Sequence, residues 1–280
     1  MKGNMVSRTA TITLPGELID QIIDHLHDDI SSLQACCLTC RTWMPSARIH
    51  LFCDVLLTTE RAAAFALLLD ASPDISLFVK RLNIQGDASQ LYSKSGYIET
   101  IVPTIAPKLT RLSTLRIDSV TLAHLHPKAL SALIDGFPVL KTLSLSSVTF
   151  EKFRDFAALV IAHPLIERLD LGHIWWSGVV NSASRWDDVF HAYPDSRSRL
   201  RCISLNDTSF NVLDWILSHY RVLPIHTFSH STITTRLVPQ IARFLNKVGP
   251  SLEHLTFCIH VTPKCFLETQ GSPPLILGCS

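Results

Sequence analysis

Cys37-x-x-Cys40, with Cys36 beside it, has the spacing of half a zinc site. A structural zinc takes four ligands, and His25 and His27 lie on the preceding predicted helix in no ligand pattern. Small buried thiols on a helix fit the residues better. His124 with His126, and His254-x3-Cys258-x-His260, bring ligand types to one side of a strand. Thirteen scattered histidines produce such pairs by chance, and no metal is assigned. The ten glycines form neither a phosphate-cradling loop nor a dinucleotide fingerprint. There is no G-x-S-x-G elbow, and Cys, His and Asp follow no catalytic order. No catalytic residue and no cofactor is assigned. A hydrolase with a triad assembled in space is an alternative that rests only on the abundance of those residue types.

The chemistry left to the chain is recognition, and its balance of charge agrees. Lys and Arg total 25 against 24 Asp and Glu, a net charge of +1, which gives no electrostatic case for nucleic acid or an anionic membrane. Hydrophobic residues make up 47% of the 280 positions, enough for a large core. MKGNMVSRTATIT lacks the apolar region of a signal peptide, and the longest apolar run, residues 62–69, is far short of a membrane span. Eight scattered cysteines do not resemble a secreted disulfide framework. The expected location is therefore the cytoplasm, the nucleus or both, and the sequon Asn206-Asp207-Thr208 is unused. Cys279, one residue from the end, does not make a prenylation box.

The elements that would position a recognition surface fall into four stretches: a flexible start at 1–12, a helical unit at 13–52, a repeat array at 53–262 and an irregular tail at 263–280. In the second, Leu18, Ile19, Ile22, Ile23 and Leu26 line one side of a helix begun by Pro15 and Glu17. Ser31 with Gln34 has the spacing of a capping box opening a second helix, and Pro45 opens a third. About forty residues bury too little surface to stand alone, so apolar side chains on several faces point to docking.

Leu14-Pro15, Glu17-Leu18, Ile22-Ile23, Leu26, Leu33, Leu38, Cys40-Arg41 and Trp43 fall in the order of an F-box, which this stretch resembles. Cys36 and Cys37 depart from the pattern, standing where larger aliphatic or basic residues are more usual. The resemblance implies a non-catalytic subunit that binds a Skp-type adaptor and through it a cullin, so that the rest of the chain presents a target for ubiquitination. It implies adaptor docking by Leu14, Pro15, Leu18, Ile22, Leu26 and Trp43, with Trp43 as a large anchor. For Ile22 and Leu26, packing within the helices is an equal alternative.

Residues 112–122 (LSTLRIDSVTL), 140–150 (LKTLSLSSVTF), 166–176 (IERLDLGHIWW) and 200–210 (LRCISLNDTSF) align without gaps. All four carry apolar residues at positions one, four, six and eleven, and three add Val or Ile at nine, where leucine-rich repeats usually have Asn or Cys. Weaker copies begin at Val79, Ile225 and Leu252, and residues 55–57 read as an opening strand. The fourth positions recur about every 25 to 34 residues, which leaves room for a helix in each unit. Helical patterns occupy 62–69, 98–105, 130–137, 153–161, 212–220 and 237–245. The array thus resembles degenerate leucine-rich repeats. The expected fold is α/β: a short three-helix start, then a curved β/α solenoid with a concave parallel sheet and convex helices.

Alternation along the strands turns a polar, mixed-charge face outward, with Arg81, Arg116, Arg168 and Asp170 its charged candidates for target binding. Trp175 and Trp186, in a long insert that reads as loop, are candidate aromatic anchors, whereas Trp176 occupies a core position. The tail at 263–280 either covers the last strand or marks a cut chain. The leading expectation is an adaptor joining an unidentified target protein to a cullin ligase. The alternative is an interaction scaffold whose N-terminal helices only cap the array.

Overall fold

The structure, a computed structural model, describes residues 14–86, 96–123, 125–178, 199–206, 211–220, 223–231 and 237–257. Helices and strands alternate after three opening helices, except between the fifth and sixth strands, where the described residues include no helix, and the eight strands join one parallel sheet in chain order. The chain divides into two compact units, one built from residues up to 117 with 125–140, the other from 118–124 and 141 onward.

In the first unit, α1 (Gly16–Asp24), α2 (Ile30–Thr39) and α3 (Met44–Cys53) pack around Ile19, Ile23, Leu33, Cys36 and Ala47. The α1 and α3 helices are tied by a hydrogen bond from Ser46 Oγ to Asp20 and by His50 Nε2 at 2.8 Å from Asp24 Oδ1. The start of α2 differs from the capping box expected of Ser31 and Gln34. Its cap is Asp29, whose carboxylate accepts hydrogen bonds from the Ser32 N–H and from the Ser31 and Ser32 hydroxyls. An anionic acceptor two residues upstream satisfies the orphan donor better than a neutral hydroxyl.

The α3 helix runs directly into β1 (Asp54–Leu57), which pairs in parallel with β2 (Arg81–Gln85) across α4 (Thr59–Ala71). Next come α5 (Gly96–Ile105), a 3-10 turn at Ala106–Lys108, β3 (Thr114–Thr121) and α6 (Pro127–Asp135). The second unit continues with β4 (Thr142–Phe150), α7 (Phe153–Ile161), β5 (Arg168–Trp176), β6 (Cys202–Asn206), α8 (Asn211–His219), β7 (Thr227–His230), α9 (Val238–Val248) and β8 (His254–Phe257). Each predicted helix is present with ends shifted by a few residues.

Registers bring the repeat positions together. Leu143, Leu169, Ile203, Phe228 and Leu255 form one ladder from β4 to β8, and Leu145, Leu171, Leu205, His230 and Phe257 form the next. All but Leu255 in the first are fully buried. Burying such a side chain is worth roughly 1.5–3 kcal/mol, whereas an exposed ion pair such as Arg81–Asp54 (2.8 Å) contributes about 0–1, so the apolar ladders dominate. His230 takes a leucine position and is buried edge-on to Phe228. Leu255 lies on the last described strand, and residues 258–280, including the tail, lie outside the described residues.

One residue per full-length strand breaks the alternation. Ser119, Ser147 and His173, each at position eight, adopt φ of 55°, 54° and 52°. The left-handed step leaves two successive residues half-buried, as at Ser146 and Ser147, and returns Val120, Val148 and Ile174 to the core at position nine. Position eleven is thereby directed inward as well, with Phe150 and Trp176 packed against Phe153 and Phe156. Replacing Ser147 with glycine should keep or raise the melting temperature, while Ser147→Val should destabilise by about 1–2 kcal/mol, read by denaturant unfolding.

Candidate functional site

The three opening helices divide their apolar side chains by direction. At about 100° per residue, Ile19 and Ile23 fall together on α1 and Leu18 and Ile22 lie to one side of them, while Leu26 follows the helix in a turn. Ile19 and Ile23 enter the helices' own core. Leu14, Leu18 and Ile22 remain 46%, 44% and 41% exposed, and Pro15, the α1 cap, is exposed with them. The Pro15 carbonyl accepts from the Leu18 and Ile19 N–H groups, so the proline begins the helix while its ring stays outside. Leu14, Leu18 and Ile22 recur every fourth residue, with Pro15 beside the first, as an exposed apolar stripe. Leu26 and Trp43 are placed differently from the other docking candidates. Both are partly buried against the Ile23, Leu33 and Cys36 core, and Trp43 is the α3 cap. Both keep part of their surface accessible.

Two further residues extend the exposed apolar surface. Ile30 is exposed and Leu38 is 88% exposed on α2, away from Leu33 and Cys36. The helical wheel carried this signal, since Leu38 lies on the far side of α2 from the positions that bury. Leaving large aliphatic side chains in water forgoes the free energy of burying them.

The cysteines fit that division. Cys36 is buried, burial pushes the half-buried Cys37 thiol up, and the Thr42 hydroxyl, 3.0 Å away, pulls the exposed Cys40 thiol down. Among the described residues, no three His, Cys, Asp or Glu side chains are grouped to hold a metal ion.

The second surface is the open face of the sheet. In the second unit Thr142, Arg168, Cys202, Thr227 and His254 form one row, and Ser144, Asp170, Ser204, Ser229 and Thr256 the next. Arg168 Nη1 lies 3.9 Å from Asp170 Oδ1, so these two charges largely offset each other on a field of small hydroxyls. Ser231 Oγ donates to Asn206 at the end of the third row. Burial pushes the Cys202 thiol up, the opposite of what a nucleophile requires. In the first unit Arg81 is paired with Asp54 and Arg116 is exposed. The structure thus places Arg168 with Asp170 and gives Arg81 a local partner.

Trp175, expected in a loop, belongs to β5, where it pairs with Thr149 of β4. The left-handed step at His173 prolongs the strand and turns Trp175 outward. The ring is 46% exposed and stacked on His173, with ring centres 6.0 Å apart. Trp186 lies outside the described residues. No helix among the described residues is long and apolar enough to cross a membrane. No family model and no curated protein matches this chain.

Asp29 gives a direct readout of the integrity of the three opening helices. Hydrogen bonds from Ser31 and Ser32 hold its carboxyl down from 3.8 to about 2. A depressed folded value means the cap's contribution is complete above the unfolded value near 4 and is lost as pH falls toward 2. Carbon-detected NMR titration should find Asp29 half-protonated near pH 2, and Asp29→Ala should remove the N-terminal protection of α2 at neutral pH.

Proposed function

We propose that this chain is a substrate-recognition adaptor of a cullin-type ubiquitin ligase, with an F-box-like N-terminal unit that holds a Skp-type adaptor and a leucine-rich-repeat-like solenoid that holds a target protein. The observation that carries the reading is the exposed stripe of Leu14, Pro15, Leu18 and Ile22 beside a core that Ile19 and Ile23 already complete. A helix with two apolar faces, one used internally, has one left for another protein. The sheet's hydroxyl-rich face, its Arg168–Asp170 pair and the exposed Trp175 suit hydrogen bonding to a polar protein surface with an aromatic anchor. Such a subunit performs no chemistry of its own, needs no cofactor and works in the cytoplasm or nucleus.

The capping-scaffold alternative requires Leu18, Ile22 and Leu26 to seal the first strand. Leu18 and Ile22 are exposed, and it is α3 that leads into β1 and contacts it, so the stripe is left without a role on that reading.

Replacing Leu18 and Ile22 together by glutamate should leave the fold intact, because both are exposed. It should weaken capture by purified Skp-type adaptor at least about tenfold in a pull-down titration. Undiminished capture with an intact fold would overturn the assignment.

A further inference from the structure

A groove lies in the first unit, far in sequence from α1. The end of α5, the 3-10 turn after it and α6 enclose an open groove of about 700 Å³. Pro103, Pro107, Pro127 and Pro138 stand along it. Proline has no N–H, so these positions offer no backbone donor, and an added strand finds no regular ladder to join. No aromatic side chain lines the groove, which removes the stacking faces that polyproline ligands use. An α-helix satisfies its own backbone and needs neither.

The floor is formed by small residues held at close range. A Cβ added at Gly136 would overlap the Ala132 carbonyl oxygen and lie 2.5 Å from Ala106 Cβ. The chain approaches there as closely as it can, so the groove is formed before anything occupies it.

Charge identifies the occupant's polarity. Lys128 lies in the first turn of α6 and Asp135 in the last, the reverse of what the helix dipole favours. Ser131 Oγ donates to Asp135 at 2.8 Å, and neither charge is in an ion pair among the described residues. Both line the groove. Seven residues separate them, two helical turns or about 10.5 Å. Charges that oppose their own helix are explained by what they face.

We propose that this groove docks an amphipathic helix of a partner protein, parallel to α6, with an acidic residue in its first turn against Lys128 and a basic residue two turns later against Asp135. Small apolar side chains of that helix rest on the partly accessible Ala132, between the two charges. That charge order agrees with the partner helix's own dipole, so the segment is a good helix former before it binds.

The test uses the full chain and two fluorescent peptides of about 16 residues, long enough to be helical. The first carries leucine and alanine at helical spacing, glutamate in the first turn and lysine seven residues on; its twin exchanges the two charges. Fluorescence anisotropy should give saturable binding of the first at least about tenfold tighter than the twin. The double variant Lys128→Glu, Asp135→Lys should reverse the preference and melt no lower than the parent. Equal or absent binding of both peptides, or an unreversed preference, would overturn the proposal. A lowered melting temperature of the variant would do so too, because the charges would then serve the fold.

Discussion

A strand cannot return to a parallel neighbour through a tight turn, so each pairing needs a crossover, and every described crossover other than that from β5 to β6 supplies a helix. The ladders through Leu143 and Leu145 follow from that arrangement, because residues at one repeat position meet in register on adjacent strands. The other side of each strand is released from core duty. It carries Ser144, Ser204 and Ser229 in one row where the core side carries leucine, isoleucine and phenylalanine. One constraint therefore generates both the stability of the sheet and its polar open face.

The left-handed residues at Ser119, Ser147 and His173 refine this scheme. Simple alternation would send position nine outward; the added step brings Val120, Val148 and Ile174 back to the core. Only a cost of about 1–2 kcal/mol per non-glycine residue opposes this, less than the gain from burying another branched side chain and the aromatic at position eleven. The opening helices solve a different problem with the same means. Their small core has five buried side chains with others packed partly against it, while Leu14, Leu18, Ile22, Ile30 and Leu38 face water.

Much of this was legible in the sequence because it depends on spacing. The intervals between Leu115, Leu143 and Leu169 set the repeat, and the gaps between them had helical periodicity. What escaped depends on direction or on local competition. The capping of α2 by Asp29 was missed because Ser31 and Gln34 satisfy a known pattern, while the ionised carboxylate upstream is the stronger acceptor. Trp175 was read as loop because the insert after it is polar, yet the step at His173 carries the strand through it. Trp43 was expected as an anchor because of its size; its partial packing against the helices' own core depends on direction, which spacing alone does not give.

The account stands on the exposed face of the opening helices being an interface. Hydrogen–deuterium exchange of the full chain, free and mixed with a purified Skp-type adaptor, tests it most directly. The account predicts slowed exchange confined to residues 14–24 and 30–39, with the sheet unchanged. No protection there, or protection only in the sheet, would contradict it.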